Sequence, residues 1–409
     1  MNTEAVTVAA LALEGGTPLV AEPLPGWPRY ADDEVQAVTD VLRSGRVNYW
    51  TGTQGREFER EYAARLGLRH AIALANGTVA LELPLRCWGI GPGDEVIVTP
   101  RSFIASVACV VNVGARPVFA DVDPDSGGLT AASIRAVLTP RTRAVIPVHL
   151  AGWPCEMPGI VALAREHGLK VLEDCAQANG AMLHGRPVGS FGDAAAFSFC
   201  QDKIITTGGE GGLLATDDPG LWRDAWSYKD HGKDWDAAHA VARVPLFRWV
   251  HHSFGSNYRL TEPQAAIGRR QLAKLDEWHR IRTAHAAIYL RELAALPGIR
   301  VPAPPAHVEH AWYKFYFFLR PERLRPGWTR DRVLEAICAE GIPCYAGSCS
   351  EIYLERAFDG LDARPATRLP VARELGETSL MLLVHPTLET RQVELVAAAV
   401  RKVVEAVTH

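Results

Sequence analysis

GDAAAFSFCQDKIITTGGEGGLL, Gly192 to Leu214, joins a buried strand to a lysine and a glycine-rich turn. Ala194 to Phe199 is small, apolar and aromatic almost throughout, the pattern of a strand covered on both faces. It delivers Lys203 into a segment rich in Thr and Gly. An amine leaving the end of an apolar strand is partly desolvated, which lowers its pKa and makes it a usable nucleophile toward carbonyls. The GGEGG that follows, Gly208 to Gly212, gives a backbone that bends sharply and approaches a ligand closely.

Upstream lies LKVLEDCAQANGA, Leu169 to Ala181. An apolar run ends there in two carboxylates and small residues follow, which puts Asp174 at the carboxyl end of a parallel strand, where open α/β sheets place their ligands. Twenty-nine residues separate Asp174 from Lys203, room for one further strand and its connection. A lysine to bond an aldehyde and a buried carboxylate to keep a pyridine nitrogen protonated are the two groups a pyridoxal phosphate site needs.

A third element fits the same cofactor. HAIAL, His70 to Leu74, reads as a strand and ANGTVALELPLRCWGI as the turn and helix after it. Free backbone N–H groups and a positive dipole end await an anion at such a helix start. Gly77 lets the backbone come close to a phosphate and Thr78 adds a hydroxyl, whereas an ordinary helix cap by Asn76 or Thr78 is the plainer alternative.

Composition narrows the remaining classes. The 409 residues, 48% hydrophobic and 22% charged, suffice for one large and one smaller domain with a sizeable core. A net charge of −4 and scattered basic residues speak against nucleic acid or an anionic membrane as the main partner. The eight cysteines form no CxxC pair, so reduced thiols are expected rather than a disulfide frame or a metal site. The N-terminus has an apolar patch with no basic residue before it, unlike a signal peptide, and no run of about 18 apolar residues exists to span a membrane. A cytoplasmic enzyme is expected.

EDCAQANGA, FSFCQDKIITTGGEGG, LANGTVAL (Leu74 to Leu81) and SNYRLTEPQAAIG (Ser256 to Gly268), four motifs in the right sequence and at sensible spacing along the chain, resemble the DegT/DnrJ/EryC1/StrS aminotransferases. The resemblance runs from about Gly16 onward. It implies an α/β protein of fold-type I, a pyridoxal 5'-phosphate-dependent aminotransferase with a mostly parallel central sheet and a smaller α+β C-terminal domain. The expected divisions are an N-terminal arm over 1–30, a large cofactor-binding domain over 31–275 and a small domain over 276–409.

Residue by residue, the resemblance makes Lys203 and Asp174 the catalytic pair, and places Phe103 over the pyridine ring and Gln177 on its ring oxygen. It assigns Ser198, with Gly77 and Thr78, to the phosphate, and has Asn257 reach the cofactor phosphate of a partner subunit, so that a homodimer shares its sites. Tyr49, Lys229 and His231 become candidate substrate contacts, with Trp50 beside Tyr49; His149 lies near the cofactor, and Asn179 stands where many relatives carry histidine. The reaction implied moves an amino group from glutamate or glutamine to a keto-sugar, mostly nucleotide-linked, in deoxyamino-sugar or natural-product biosynthesis. A keto-cyclitol acceptor, a sugar dehydratase or a homologue without turnover are the alternatives; the dehydratase branch replaces the lysine by histidine, which Lys203 opposes.

Other expectations follow from pattern alone. Residues 1 to about 28 read as a loose leader and a proline-bearing arm, TRAVIPVHL (Thr142 to Leu150) as one strand, and HAWYKFYFFLR (His310 to Arg320) as another. A helix runs from Leu272 to Leu296 and an amphipathic helix closes the chain.

Overall fold

The computed structural model describes residues 10–240 and 248–409. The first nine residues of the expected leader and 241–247 of the stretch between Asp234 and Trp249 lie outside the described residues.

Seven strands form the main sheet: β1 (His70–Leu74), β2 (Glu95–Val98), β3 (Arg116–Phe119), β4 (Thr142–Ile146), β5 (Lys170–Asp174), β6 (Ala194–Ser198) and β7 (Gly212–Thr216). Their order is β1-β7-β6-β5-β4-β2-β3; β7 runs antiparallel to both neighbours and every other pairing is parallel. β2, β5, β6 and β7 are buried along nearly all their length, as strands covered on both faces must be. β4 stops at Ile146, short of the expected Leu150, because Pro147 has no N–H to donate to a ladder.

A four-stranded antiparallel sheet organises the C-terminal part, with β8 (Ile299–Arg300), β9 (Phe315–Leu319), β10 (Cys344–Tyr345) and β11 (Ser379–Leu382) in the order β8-β9-β11-β10. Only 315–319 of the expected strand 310–320 pairs. Trp312 adopts φ 49°, and the N–H groups of Ala311 and Tyr313 go to the carbonyls of Gly152 and Ala151 in the other part of the molecule.

The helices that matter to the site are α1 (Asp32–Ser44), α2 (Gln54–Leu66), α3 (Gly77–Cys87), α4 (Ala105–Asn112), α5 (Pro219–Lys229), α6 (Glu262–Leu293) and α7 (Thr390–Val407). α6 is 32 residues long and passes straight through the expected divide at 275/276. Its second half buries Ala286, Tyr289 and Leu293 in the C-terminal core with Val393, Val400 and Val404 of α7.

The leader is not loose where it is described. Leu11 and Val20 are buried in that same C-terminal core. Glu340 accepts hydrogen bonds from the N–H groups of Ala12 (2.9 Å) and Leu19 (3.1 Å) and pairs with Lys402 at 2.8 Å. The arm is thereby part of the C-terminal unit.

Candidate active site

Parallel order brings the two expected catalytic groups together. Asp174 ends β5, and β6 beside it leads through a tight turn to Lys203, whose N–H closes on the Cys200 carbonyl at 3.1 Å. Asp174 is buried, which raises its carboxyl above the usual range. The Ser106 hydroxyl (2.7 Å to Oδ2), the Ala176 N–H (3.0 Å to Oδ1) and the charge of Lys203 work the other way. A cationic nitrogen held against this carboxylate would complete an otherwise costly burial.

Lys203 Nζ donates to the Tyr313 hydroxyl at 3.4 Å, and Tyr313 in turn donates to Asp202. Burial, with Asp202 behind it, raises the Tyr313 pKa, so the phenol stays protonated. Burial would also raise Asp202, but the Tyr313 hydroxyl and the charges of Lys203 and Lys314 hold it below its usual range. Trp27 of the arm adds an indole N–H donated to the Lys203 carbonyl at 2.7 Å. Ser106, Tyr313 and Trp27 escaped the sequence reading. Ser106 lies three residues after Phe103, and Tyr313 sits in a segment read as strand, so only the fold reveals them.

The anion cradle forms where α3 meets β6 and β7. Asn76 does cap α3, its Oδ1 accepting the Val79 N–H at 3.0 Å, which leaves the N–H groups of Gly77 and Thr78 at the helix start without an intrahelical acceptor. The helix cap is thus observed, and it leaves those two N–H groups available to an anion. A Cβ on Gly77 would lie 2.8 Å from Ser198 Cβ and 3.2 Å from its Oγ, and one on Gly212 would lie 2.3 Å from the Asn76 carbonyl carbon. Bare backbone at both positions lets helix start and Ser198 face one small space.

Gln177 is buried, with Oε1 accepting the Ala151 N–H at 2.8 Å, so its NH2 end remains to donate to a ring oxygen. Phe103 is 69% exposed, an open aromatic face just before α4. Asn257 and His231 are exposed, His231 at φ 63°. These residues fit the cofactor: a phosphate cradle, a carboxylate for the ring nitrogen, a donor for the ring oxygen and an amine.

Two expectations are corrected. Tyr49 and Lys229 are interior, not substrate contacts: Lys229 is 0% exposed, its Nζ lies 3.6 Å from Glu59 Oε1 and 3.6 Å from the centre of the Tyr49 ring. The Tyr49 hydroxyl donates to Glu59 Oε2 at 3.1 Å. Burial lowers the Lys229 pKa and raises that of Glu59, while each partner's charge opposes the shift of the other. Their neighbour Asp230 is equally enclosed, accepting from Trp50 Nε1 (2.9 Å), Lys233 (2.7 Å) and Arg259 (2.9 Å). Arg259 of the NYR motif is thus explained by its ion pair, and Glu262 by capping α2 through the N–H groups of Gln54 (2.6 Å) and Gly55 (3.0 Å). Asn257 alone of that motif is left facing outward.

Behind Asp174, His149, Glu173 and Cys175 cluster closely enough to suggest a metal. His149 Nδ1 accepts the Cys155 N–H at 3.0 Å, so Nε2 carries the ring proton and donates to Glu173 Oε2 at 3.1 Å. Glu173 also takes the N–H groups of Gly189 (2.8 Å), Phe191 (2.7 Å) and Gly192 (2.7 Å). The cluster is satisfied by the protein itself. Asn179 is buried with its Oδ1 on the Tyr62 hydroxyl, away from solvent.

Sheet order, lysine, carboxylate and cradle define a pyridoxal phosphate-dependent aminotransferase of fold-type I. The chain belongs to the DegT/DnrJ/EryC1/StrS aminotransferase family, whose profile matches residues 28–401. It is similar to an aminotransferase from Psychrobacter cryohalolentis of known structure, 50% identical with a TM-score of 0.92 over 94% of this chain and all of that one. Among characterised relatives it is 40% identical to a UDP-N-acetyl-3-dehydro-alpha-D-glucosamine 3-aminotransferase of Acidithiobacillus ferrooxidans, over 87% of this chain and 90% of the relative. It is 38% identical to a dTDP-3-amino-3,4,6-trideoxy-alpha-D-glucose transaminase of Streptomyces venezuelae, over 92% and 95%.

Proposed function

We propose that this aminotransferase carries an amino group from glutamate or glutamine to a keto-hexose held on a nucleoside diphosphate. The observation that carries the reading is the placement of Asp174 at the end of β5 and of Lys203 in the turn after the parallel neighbour β6, close enough for the lysine's charge to act on the carboxylate. The relatives' nucleotide-sugar substrates support the acceptor class.

Bound pyridoxal phosphate supplies the carbonyl that takes up the amino group and the protonated ring that stores electrons during transfer. Gly77, Thr78 and Ser198 would hold its phosphate, Asp174 would keep the ring nitrogen charged, Gln177 would donate to the ring oxygen, and Phe103 would lie against the ring. Lys203 Nζ removes the proton from the α-carbon of the amino donor and later delivers one to the sugar carbon that receives nitrogen. Tyr313 holds that amine in position, since its hydroxyl donates to Asp202 and so offers Nζ a lone pair. Exposed Asn257 reaches a partner subunit's phosphate, so a homodimer completes the site. His231 borders the substrate.

Because one site serves donor and acceptor in turn, initial-rate lines should be parallel, and the donor alone should shift the cofactor's absorbance. Intersecting lines with no donor-induced shift would dismiss the scheme. Turnover of a keto-cyclitol but not of a nucleotide-linked 3-keto- or 4-keto-hexose would move the acceptor to the aminocyclitol class.

A further inference from the structure

Arg101 follows β2 by three residues and is 1% exposed. Its Nε, Nη1 and Nη2 are all buried, and none has a hydrogen-bond partner among the described residues. The Tyr316 ring, 5.4 Å from Cζ, is its one cation–π neighbour there. A guanidinium presents five donors and stays charged under ordinary conditions, so full burial without an acceptor is not a resting arrangement.

The side chain lines a small chamber between the two sheets. Ser126, Gly127 and Ala151 form one wall, and Tyr316 and Phe318 of β9 the other. Nearby groups do not neutralise Arg101. Asp125 on the rim pairs with Arg300, and the Tyr316 hydroxyl exchanges hydrogen bonds with Ser348. His310 is buried and held neutral, its Nδ1 accepting the Trp312 N–H at 2.8 Å. The Cys349 thiol, although an exposed residue, has its pKa raised by partial desolvation and adds no negative charge. Among the described residues nothing compensates the positive charge that Arg101 brings to the chamber.

Its volume is about 30 Å³, against the roughly 10–15 Å³ one water molecule needs on the same measure. Two or three heavy atoms fit; a phosphate group does not.

We propose that this chamber binds a small monoanion, of halide or carboxylate size, on the Arg101 guanidinium, bridging the two sheets. The site also touches the cofactor pocket from behind. The Ala151 N–H is the donor to Gln177, and Ser102, next to Arg101, is hydrogen-bonded to the Ser106 that supports Asp174. The occupant is a free ion, since the lining includes neither Lys203 nor Asp174, where the amino donor must react. The proposal stands apart from the choice of sugar acceptor.

The test is thermal unfolding of the cofactor-loaded protein at constant ionic strength, with sodium gluconate replaced stepwise by sodium formate. Formate should raise Tm by about 2 °C or more, climbing with the logarithm of its concentration, and Arg101→Met and Arg101→Gln should abolish the rise. An equal rise in the variants, or no difference between formate and gluconate in the wild type, would overturn the proposal. Should the variants fail to fold, a bromide-soaked crystal of the wild type decides: an anomalous peak at the guanidinium supports the site, and water alone refutes it.

Discussion

Ser106 donates its hydroxyl hydrogen to Asp174 Oδ2 at 2.7 Å, joining the first turn of α4 to the end of β5 in a buried setting. A hydrogen bond to a charged group contributes about 1.5–3 kcal/mol, and this one favours the ionised carboxylate that burial disfavours. Ser106→Ala is therefore expected to weaken pyridoxal phosphate retention by about 10-fold or more. Absorbance titration of the cofactor-free protein measures this, and an unchanged Kd would remove Ser106 from the account.

At the other end of the pocket, Gly77→Ala should impair cofactor binding more than Thr78→Val. The added methyl would stand 2.8 Å from Ser198 Cβ, so helix start and strand must part. Thr78→Val removes one hydroxyl and leaves the backbone donors in place, a loss of about 1 kcal/mol, or several-fold in Kd. The same titration ranks the two, and equal affinities would show that the cradle is not built on close approach.

Lys229 and Glu59 should matter to stability, not to substrate affinity. Removing one partner of a buried ion pair costs about 3–5 kcal/mol because the other charge is left unpaired. Lys229→Met should therefore lower Tm by roughly 4–6 °C in a chain of this length, and adding Glu59→Gln should recover part of it. A large rise in KM for the sugar with an unchanged Tm would restore Lys229 as a substrate contact.

His385 gives a pH signature. Burial, reinforced by the nearby charges of Arg282 and Lys314, depresses its pKa from 6.5 to about 3. Below pH 6.5 the unfolded chain binds a proton there that the folded protein refuses, so stability falls as pH drops from 6.5 toward 3. The slope from this one group approaches about 1.4 kcal/mol per pH unit. His385→Gln should flatten that part of the acid limb in urea titrations between pH 6 and 4, and a parallel limb in wild type and variant would contradict the assignment.

What the sequence disclosed was what local pattern encodes. The run AAAFSF, the ED that ends a strand and the GGEGG turn each report their own surroundings, so the strand end at Asp174, the turn that carries Lys203 and the helix start at Gly77 were legible from local pattern. Burial by distant partners was not. Lys229 is in the interior because Glu59 and Tyr49, some 170–180 residues earlier, fold against it. A lysine followed by Asp, His and Gly looks like a solvent-facing loop until that contact exists. Tyr313 was hidden for the opposite reason. Its alternating aromatic neighbours read as strand, yet its backbone hydrogen-bonds to Ala151, which frees its ring to meet Lys203.

The central claim is that the Lys203 amine moves the proton in both half-reactions. Rapid-mixing absorbance of Lys203→Ala loaded with pyridoxal phosphate, on addition of glutamate or glutamine alone, tests it most directly. The account expects the amino-group transfer step to slow by roughly 10²–10⁴-fold with the fold and cofactor binding retained. Transfer at close to the wild-type rate would contradict it.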